Sequence, residues 1–495
     1  MMYGEEKSDS LIVAANLANN PQGAESVERR CGAKGNAEQP HMRRTQSRES
    51  MSQRLSRVRE AAKQRKKERF TALFHLLTAE ALENAFLSLS RKAAAGVDGV
   101  RWKDYAENLK VNIADLHRRL HQGSYRAQPG RRHYIPKADG KQRPLGIASL
   151  EDKIVQYALV KILNAVYEND FMGFSYGFRP GRSQHNALDA LATGLVRTNV
   201  NWVLDADISQ FFDKVSHEWL IRFIEHRIGD QRVIRLIRKW LTAGTSEEGE
   251  WRASEEGTPQ GAVISPLLAN IYLHYVFDLW AHQWRRRHAT GNVVMVRYAD
   301  DIVIGFDKRI DAQCFRIAMQ RRLKEFGLTV HPKKTRLMEF GRFAAENRAS
   351  RGKGKPETFN FLGFTHISGK DRSGRFMLIR KTRRDRMTAT LKAIKDGLRK
   401  RWHYSIPEQG KWLRRVVQGY LNYHSVPGNY PMMRKFRIYV TDLWRRALRR
   451  RSQQDDTTWT KANRLAAVWL PKVRVLHPWP VERFTARHPR QEPGA

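Results

Sequence analysis

Two aspartates lie side by side in this sequence, in a setting where carboxylates could bind a divalent cation. Asp300 and Asp301 end the tetrapeptide Tyr298-Ala-Asp-Asp301, between the apolar runs 293–296 and 302–306. Because β-branched and apolar residues flank a short polar tip, the pattern predicts a β-hairpin with the acidic pair at its turn. Adjacent carboxylates repel each other, and a bound cation would relieve that repulsion. Acidic turns also serve solubility alone, so the tetrapeptide leaves both interpretations open.

A second acidic group occurs in a segment that alternates in character. In Trp202–Ile208, a period of two places Asp205 and Asp207 on one face and apolar side chains on the other. A strand of this kind beside the hairpin would supply oxygen ligands for two Mg²⁺ ions about 3.5–4 Å apart, as in-line phosphoryl transfer requires. A solvated edge strand is the alternative. The apolar face and the following Phe211-Phe212 favour a buried sheet.

A basic segment could contact phosphate groups. Residues 135–147 predict a hairpin that turns at Asp139-Gly140, and three cations lie near its tip: Lys137, Lys141 and Arg143. Arginine offers a planar fork and lysine a point charge, so together they suit a triphosphate. A solvated basic loop remains the alternative interpretation.

A glycine-bearing loop precedes an apolar helix. Gly257-Thr-Pro-Gln-Gly261 has two glycines that let the backbone approach a ligand closely. Ser265 predicts an N-cap, and Pro266 predicts the first helical residue. Polar residues interrupt the apolar stretch 262–284, so we expect a core helix rather than a membrane span.

The order of these motifs resembles that of reverse transcriptases: a basic hairpin, Asp207-x-x-x-x-Phe212, Gly257–Gly261, Tyr298–Asp301 and then Phe361-Leu-Gly-Phe364. Other segments resemble bacterial group II intron-encoded reverse transcriptases with maturase activity: Arg143-Pro-Leu-Gly-Ile147, Tyr176-Gly-Phe-Arg-Pro-Gly181, Ser265–Ile271 and Gly419-Tyr-Leu-Asn-Tyr423. The resemblance extends from about residue 50 to the end. It implies an α+β fold, a right-hand polymerase whose fingers and palm contain antiparallel sheet, followed by a helical thumb.

The resemblance also implies catalytic roles. It makes Asp207, Asp300 and Asp301 the catalytic carboxylates and, with the carbonyl of Ile208, the ligands of two Mg²⁺ ions, for which Mn²⁺ can substitute. Lys334 matches a lysine proposed to protonate the pyrophosphate leaving group. Its neighbour Lys333 is an alternative, and either lysine could instead contact nucleic-acid backbone.

Nucleotide contacts are implied by the same comparison. Phe212 matches the bulky residue that excludes a ribose 2′-hydroxyl and so selects deoxynucleotides. The complete implied set is Lys137, Arg143, Ile208, Phe212, Gln260 and Gly261. The substrates implied are dNTPs and an RNA template with a DNA primer.

Composition supports a polyanionic partner. The chain has 90 Lys plus Arg against 50 Asp plus Glu, a net charge of +40, and nucleic acid is the simplest partner for it. Two distant cysteines, Cys31 and Cys314, give neither a disulfide framework nor a zinc site. Residues 1–20 lack the pattern of a secretory signal. We therefore expect a bacterial cytoplasmic protein associated with nucleic acid and not with membranes.

The most basic stretch, residues 380–451, has 21 Lys or Arg against four Asp or Glu. Its apolar stripes predict helices, and so large an excess of charge is poorly explained by a merely solvated bundle. By resemblance it is the thumb, or maturase domain, which binds intron RNA through shape and phosphate contacts. The candidate RNA-binding residues are Lys411, Arg414, Arg415, Arg445 and Arg446.

The expected domain organisation has five parts. It comprises a disordered polar arm (1–50), a helical N-terminal extension (51–120), fingers and palm (121–370), the thumb or maturase domain (371–452) and a short DNA-binding tail (453–495). The tail is not followed by the His/Asn/His and paired-cysteine pattern of the HNH endonuclease domain that some relatives have. We therefore expect the subgroup that lacks this domain and that uses target DNA without cutting its second strand.

These features predict an RNA-directed DNA polymerase that also binds group II intron RNA to assist splicing and retrohoming. Two alternatives stay open, namely a splicing maturase with an idle polymerase site and a CRISPR-associated or retron-type reverse transcriptase. Intact Asp207, Asp300, Asp301, Phe212 and Lys137 argue against an idle site. The sequence leaves open whether the protein is a monomer or a dimer.

Overall fold

The chain folds into mixed helix and sheet in the computed structural model, which describes residues 50–136, 142–451 and 457–487. The N-terminal part is helical, as its apolar pattern predicts. Its helices are α1 (Met51–Gln64), α2 (Ala79–Ser88), α3 (Trp102–Glu107) and α4 (Leu109–Gln122). Side chains cap two of them, because Ser50 and Thr78 accept hydrogen bonds from the backbone of α1 and α2.

The acidic segments belong to a four-stranded antiparallel sheet. Its strands are β3 (Trp202–Asp207), β6 (Val293–Tyr298), β7 (Asp301–Phe306) and β8 (Arg336–Glu339). The predicted hairpin is confirmed, since β6 pairs with β7 and leaves a two-residue turn. On its other side β7 pairs with β3, and β8 completes the order β6-β7-β3-β8. The two acidic strands are therefore direct neighbours.

Two smaller sheets flank this one. The first contains β1 (Gly130–Pro136), β2 (Gln142–Ile147), β4 (Thr245–Glu247) and β5 (Glu250–Arg252), in the order β2-β1-β4-β5. Strands β1 and β4 pair in parallel over two residues, so this sheet is mixed and not purely antiparallel. The second contains β9 (Phe359–Phe361), β10 (Phe364–Lys370) and β11 (Phe376–Thr382) in antiparallel pairing.

Helices cover the central sheet and share one apolar core with it. They are α5 (Leu150–Tyr167), α6 (Gln184–Arg197), α7 (His217–Arg227), α8 (Gln231–Thr242), α9 (Ser265–Leu273), α10 (Leu279–His288) and α11 (Arg309–Glu325). A π-helical turn, His274–Asp278, joins α9 to α10, and this is the predicted core helix. Among the described helices, none is both long enough and apolar enough to cross a membrane. A further short helix, α12 (Ala344–Ala349), lies in the polar segment before β9.

The C-terminal helices have an apolar core of their own. They are α13 (Arg384–Arg399), α14 (Ile406–His424), α15 (Tyr430–Arg449), α16 (Trp459–Trp469) and α17 (Pro480–Arg487). We call α13, α14 and α15 the basic bundle. The apolar stripe of α14 faces this core, where Leu413 and Val417 are fully buried, while Lys411 and Arg415 are exposed.

The described part of the tail packs on the rest of the chain. Arg483 forms an ion pair with Asp189 of α6, which also lies near Arg380 of β11. The backbone carbonyl of Asn422 in α14 lies 2.7 Å from His477 Nε2. The tail therefore bridges the basic bundle and the helices of the central sheet.

Two local predictions were wrong. Ser265 is the first residue of α9 and not its N-cap, because its hydroxyl donates to the carbonyl of Pro259 instead of capping the helix. The apolar segment Phe361-Leu-Gly-Phe364, which the sequence predicts as one strand, is instead the turn between β9 and β10, since Leu362 and Gly363 both have positive φ.

Candidate active site

The three aspartates implied as catalytic lie at one end of the central sheet. Asp207 ends β3 and lies directly opposite Asp301, the first residue of β7, while Asp300 occupies the turn before it. Opposed residues of antiparallel strands share a face, with Cβ atoms about 4.5–5.5 Å apart. Asp205 lies on the same face of β3 two residues earlier. The fold therefore concentrates negative charge in one place.

This crowding changes the acidity of the carboxyl groups. Desolvation, followed by the like charges of Asp300, Asp207 and Asp205, raises the pKa of Asp301 to about 7. Burial and then Asp207 raise the pKa of Asp205 to about 6, against the opposing effect of Arg336. Burial also raises the pKa of Asp300. The raised pKa values disfavour the ionised forms of Asp205, Asp300 and Asp301, and a bound positive charge would stabilise those forms.

One cation already contacts this cluster. Lys334 Nζ lies 2.9 Å from Asp207 Oδ2, with the lysine side chain 62% exposed and the aspartate 21% exposed. The backbone amide of His331 donates to the carbonyl of Asp207 at 2.7 Å, which fixes the loop that carries Lys334. Ile208 follows Asp207, is buried, and forms a bridge with Val330 of the same loop. Of the two neighbouring lysines, Lys334 is the one whose ammonium group contacts Asp207.

A buried arginine supports the acidic turn from behind. Arg297 of β6 is fully buried, and its guanidinium binds both carboxylate oxygens of Asp278, at 2.7 and 2.5 Å. The same group donates to the carbonyl of Ala299 at 3.1 Å, within the turn itself, and to the side chains of Asn270 and Ser175. Asp278 belongs to the π-helical turn between α9 and α10. Sequence reasoning missed this network, although a single arginine at a buried position of an apolar strand is a signal for it.

A glycine lets a neighbouring segment approach the same turn. A Cβ atom added to Gly177 would lie 2.4 Å from the backbone nitrogen of Ala299, closer than any side chain can be. The carbonyl of Gly177 accepts a hydrogen bond from Asn270 Nδ2 at 2.7 Å. The turn is thus held from two sides by backbone and buried side chains.

The Gly257–Gly261 loop connects Phe212 to the basic hairpin. The amide of Thr258 donates to the carbonyl of Phe212 at 2.7 Å. The carbonyl of Gln260 accepts from the amide of Gly146 in β2, also at 2.7 Å. Gly257 has φ of 84°, and an added Cβ would lie 2.8 Å from the Phe212 carbonyl. The loop therefore needs glycine to lie between the two elements.

Gln260 has a partner that the sequence did not indicate. Its side-chain amide donates to Asp213 Oδ1 at 2.6 Å, one residue after Phe212. Phe212 itself is partly exposed. Gly261 lies against the backbone of Gly146, because a Cβ atom added to Gly261 would lie 3.1 Å from the carbonyl oxygen of Gly146. These contacts place Phe212, Gln260 and Gly261 along one continuous surface.

The basic hairpin is only partly described. Arg143, in β2, is exposed, and its positive charge opposes the rise in the pKa of Asp300 that burial causes. Its strand lies next to the loop that carries Gln260. Lys137, together with Lys141 and the predicted turn at Asp139-Gly140, lies outside the described residues.

The candidate RNA-binding residues divide into two groups. Lys411 and Arg415 are exposed on α14. Arg414 is also exposed, but it donates to the carbonyls of Trp469 and Val468 at the end of α16. Arg445 and Arg446 both form ion pairs with Asp442. The guanidinium group of Arg445 also lies 4.9 Å from the ring centroid of Trp459. Lys411 and Arg415 are therefore the members best placed to meet a ligand.

The described side chains do not by themselves form a complete metal-binding site. Within the described residues, no group of three or more His, Cys, Asp or Glu side chains converges closely enough to hold an ion. Magnesium in phosphoryl-transfer sites is commonly bound by one or two carboxylates together with substrate phosphates and water. The acidic end of the central sheet fits that mode of binding.

Comparison with known proteins identifies the domain that contains this site. Residues 135–366 match the family model described as "Reverse transcriptase (RNA-dependent DNA polymerase)". The match covers just under half of the chain, and this region is therefore similar to that family. The matched range includes Asp207, Phe212, Gln260, Asp300 and Lys334.

The chain is also similar to several curated proteins, some of which are named for introns. It is 43% identical over 206 residues to Protein YkfC of Escherichia coli (strain K12), covering 41% of this chain and 54% of that protein. It is 37% identical over 223 residues to the Group II intron-encoded protein LtrA of Lactococcus lactis subsp. cremoris, covering 44% and 37%. A third relative, the Putative COX1/OXI3 intron 1 protein of Saccharomyces cerevisiae, is 26% identical over 393 residues, covering 66% and 46%. The matches span about half or less of each relative's length.

Proposed function

We propose that this protein is an RNA-directed DNA polymerase that adds dNTPs to a DNA primer on an RNA template, and that it binds group II intron RNA to assist splicing and retrohoming. The observation that carries the proposal is the register of β3 and β7, which brings Asp207 and Asp301 opposite each other beside Asp300. The reverse transcriptase domain and the intron-encoded relatives support it.

The chemistry proposed is two-metal-ion nucleotidyl transfer. Asp207, Asp300, Asp301 and the carbonyl of Ile208 would hold two Mg²⁺ ions, or Mn²⁺ as a substitute. When bound, such ions activate the primer hydroxyl and neutralise charge on the leaving pyrophosphate. Lys334, already at Asp207, is the proposed proton donor to pyrophosphate.

The architecture proposed is a right hand. Residues 121–370 would form fingers and palm, 371–452 the thumb, 51–120 an N-terminal extension and 453–495 a DNA-binding tail, after an arm at 1–50. The separate core of the basic bundle and its excess of charge support the thumb assignment. The tail contacts α6 and α14 through Arg483 and His477, so DNA would have to bind the part of its surface that stays exposed.

Nucleotide selection is assigned to the surface around Phe212. We expect Phe212→Ala to admit ribonucleotides, because the aromatic ring is the bulk that would oppose a 2′-hydroxyl. Steady-state incorporation of dCTP and CTP on one primer-template measures the effect as a ratio of kcat/KM values, and a loss of about tenfold or more in discrimination is expected. Phe223→Ala, in α7, is a matched control, and unchanged discrimination in Phe212→Ala would place the gate elsewhere.

RNA binding is assigned to the exposed cations of the basic bundle. We expect RNA affinity to fall by about a hundredfold or more between 50 and 200 mM salt, because phosphate contacts release counterions. Lys411→Gln should weaken binding and reduce the salt slope, whereas Lys324→Gln, an exposed lysine of α11, should change neither. Filter binding over a salt series measures both, and a flat salt dependence would contradict the assignment.

Two assays on the purified protein test the proposal. Primer extension on an RNA template should require both dNTPs and Mg²⁺, and splicing of a group II intron precursor at low Mg²⁺ should accelerate when protein is added. Splicing assistance without extension would instead favour a maturase with an idle polymerase site. Extension without any effect on an intron would favour a CRISPR-associated or retron-type enzyme.

A further inference from the structure

An apolar pocket with a basic rim lies between α13 and α15 of the basic bundle. It encloses about 110 Å³. Its apolar lining comes from Leu398, Trp402, Leu443 and Ala447, and its charged lining from Lys395, Arg399, Arg446 and Arg450. No carboxylate is among these lining residues, so the pocket combines an apolar interior with a uniformly positive rim.

Little within the described chain neutralises that rim. Arg446 pairs with Asp442 at 2.7 Å but keeps a 65% exposed side chain. No ion pair joins Lys395, Arg399 or Arg450 to a carboxylate in the ranges that the structure describes. Four cations held around apolar surface repel one another, and a bound anion would relieve that repulsion. Charge complementarity therefore points to a polyanionic ligand with one apolar, flat group.

The volume and shape of the pocket narrow the choice of that group. A cavity of about 110 Å³ is too small for an amphipathic helix, and its opening between two helices suits one planar ring. Nucleobases are planar, stack on aromatic side chains, and carry a phosphate on each side. Trp402 offers the aromatic surface, and Tyr439, 48% exposed, lies one helical turn before Leu443 on α15.

We propose that this pocket binds one unstacked nucleobase of an RNA, while Lys395, Arg399, Arg446 and Arg450 contact the flanking phosphates. The inference rests on the proposed function, because it names how the basic bundle recognises RNA. Such a pocket would favour a bulged or looped RNA over a continuous duplex, in which every base is stacked and paired. The pocket is a different site from the acidic cluster at the end of the central sheet.

The test uses three RNA hairpins that share one stem, namely fully paired, with a single bulged nucleotide, and with an abasic residue at the bulge. Binding to the full chain is measured by fluorescence anisotropy. The bulged RNA should bind about tenfold more tightly than the other two, since one stacked base contributes that order of affinity. Equal affinity for the bulged and abasic RNAs would overturn the proposal.

Two variant pairs identify the pocket as the source of that preference. Ala447→Phe fills the pocket and should remove the preference for the bulged RNA without lowering affinity for the paired one. Ile438→Phe, which adds the same ring on the exposed side of α15, should keep it. Arg450→Gln should weaken binding more than Arg449→Gln does, because only Arg450 lines the pocket. A preference that survives in folded Ala447→Phe would also overturn the proposal.

The outcomes separate this inference from the function on which it rests. Failure of all three hairpins to bind would reject RNA binding by the bundle, and with it the pocket. Equal, salt-sensitive binding of all three would reject only the pocket. Primer extension by Ala447→Phe on an unstructured template should match the original protein, because the pocket belongs to the basic bundle, whose core is separate from that of the sheet that carries the aspartates.

Discussion

Replacing Arg297 with methionine should both destabilise the protein and stop nucleotide addition. Arg297 and Asp278 are each fully buried, and removing one member leaves an uncompensated buried charge. The expected cost is about 3–5 kcal/mol of unfolding free energy, as is usual for breaking a buried pair. The turn would also lose the hydrogen bond from Arg297 to the carbonyl of Ala299. Chemical denaturation and primer extension measure the two effects.

A double variant separates positioning from stability. Arg297→Met with Asp278→Leu replaces the pair by apolar side chains, which commonly recovers stability. We expect stability to recover while kcat stays low and KM changes little, because the support of the turn is still missing. Arg227→Met, which breaks another buried pair with Asp170, is the control that should lose stability but keep kcat once folded, because the hydrogen bonds of Arg227 go to Asp170 and to the backbone of residues 62–68 and not to the turn. Full activity in the double variant would show that the network has no positioning role.

Replacing Asp301 with asparagine should stabilise the protein without metal and reduce nucleotide addition at least about a hundredfold. The pKa of Asp301 is raised to about 7, so its ionised form is disfavoured in the folded state. Stability without metal should therefore fall as pH rises from about 4 through 7, and the variant should show a smaller decline, because the raised pKa values of Asp205 and Asp300 also contribute to it. Thermal melts across pH and primer extension measure these results.

Magnesium should reverse the pH effect in the original protein. Metal binding requires the ionised carboxylates, so Mg²⁺ should raise Tm more at pH 8 than at pH 6. Asp301→Asn should abolish this dependence. Asp371→Asn is the control, because hydrogen bonds with Arg375 and Ser373 lower the pKa of Asp371, so its loss should destabilise the protein and leave the Mg²⁺ effect intact. An equal Mg²⁺ effect at both pH values would contradict metal binding at Asp301.

The sequence predicted the parts of this site that depend on local pattern. Two apolar runs around a short polar tip predicted the hairpin of β6 and β7, and a period of two predicted the acidic positions on β3. Their register was not readable from spacing, because pairing of β3 with β7 depends on the whole sheet. The opposition of Asp207 and Asp301 is therefore a finding of the structure.

Other features were hidden because they depend on contacts between distant segments. Arg297 is conspicuous as a single arginine in an apolar strand, but only the fold identifies its partner, Asp278, 19 positions earlier. Gln260 was expected beneath the nucleotide, but its bond to Asp213 requires the fold. Ser265 met every local rule for an N-cap, yet the carbonyl of Pro259 takes its hydroxyl. Tertiary hydrogen bonds decided the first two cases, and a hydrogen bond within the preceding loop decided the third.

The most direct test of the central claim is primer extension on an annealed RNA template and DNA primer with Mg²⁺ and dNTPs. The original protein and Asp300→Ala should be compared, with RNA affinity measured on the same samples. We expect extension by the original protein alone and equal RNA affinity for both, since the acidic turn and the basic bundle belong to different cores. Extension that persists in Asp300→Ala would contradict the assignment of the active site.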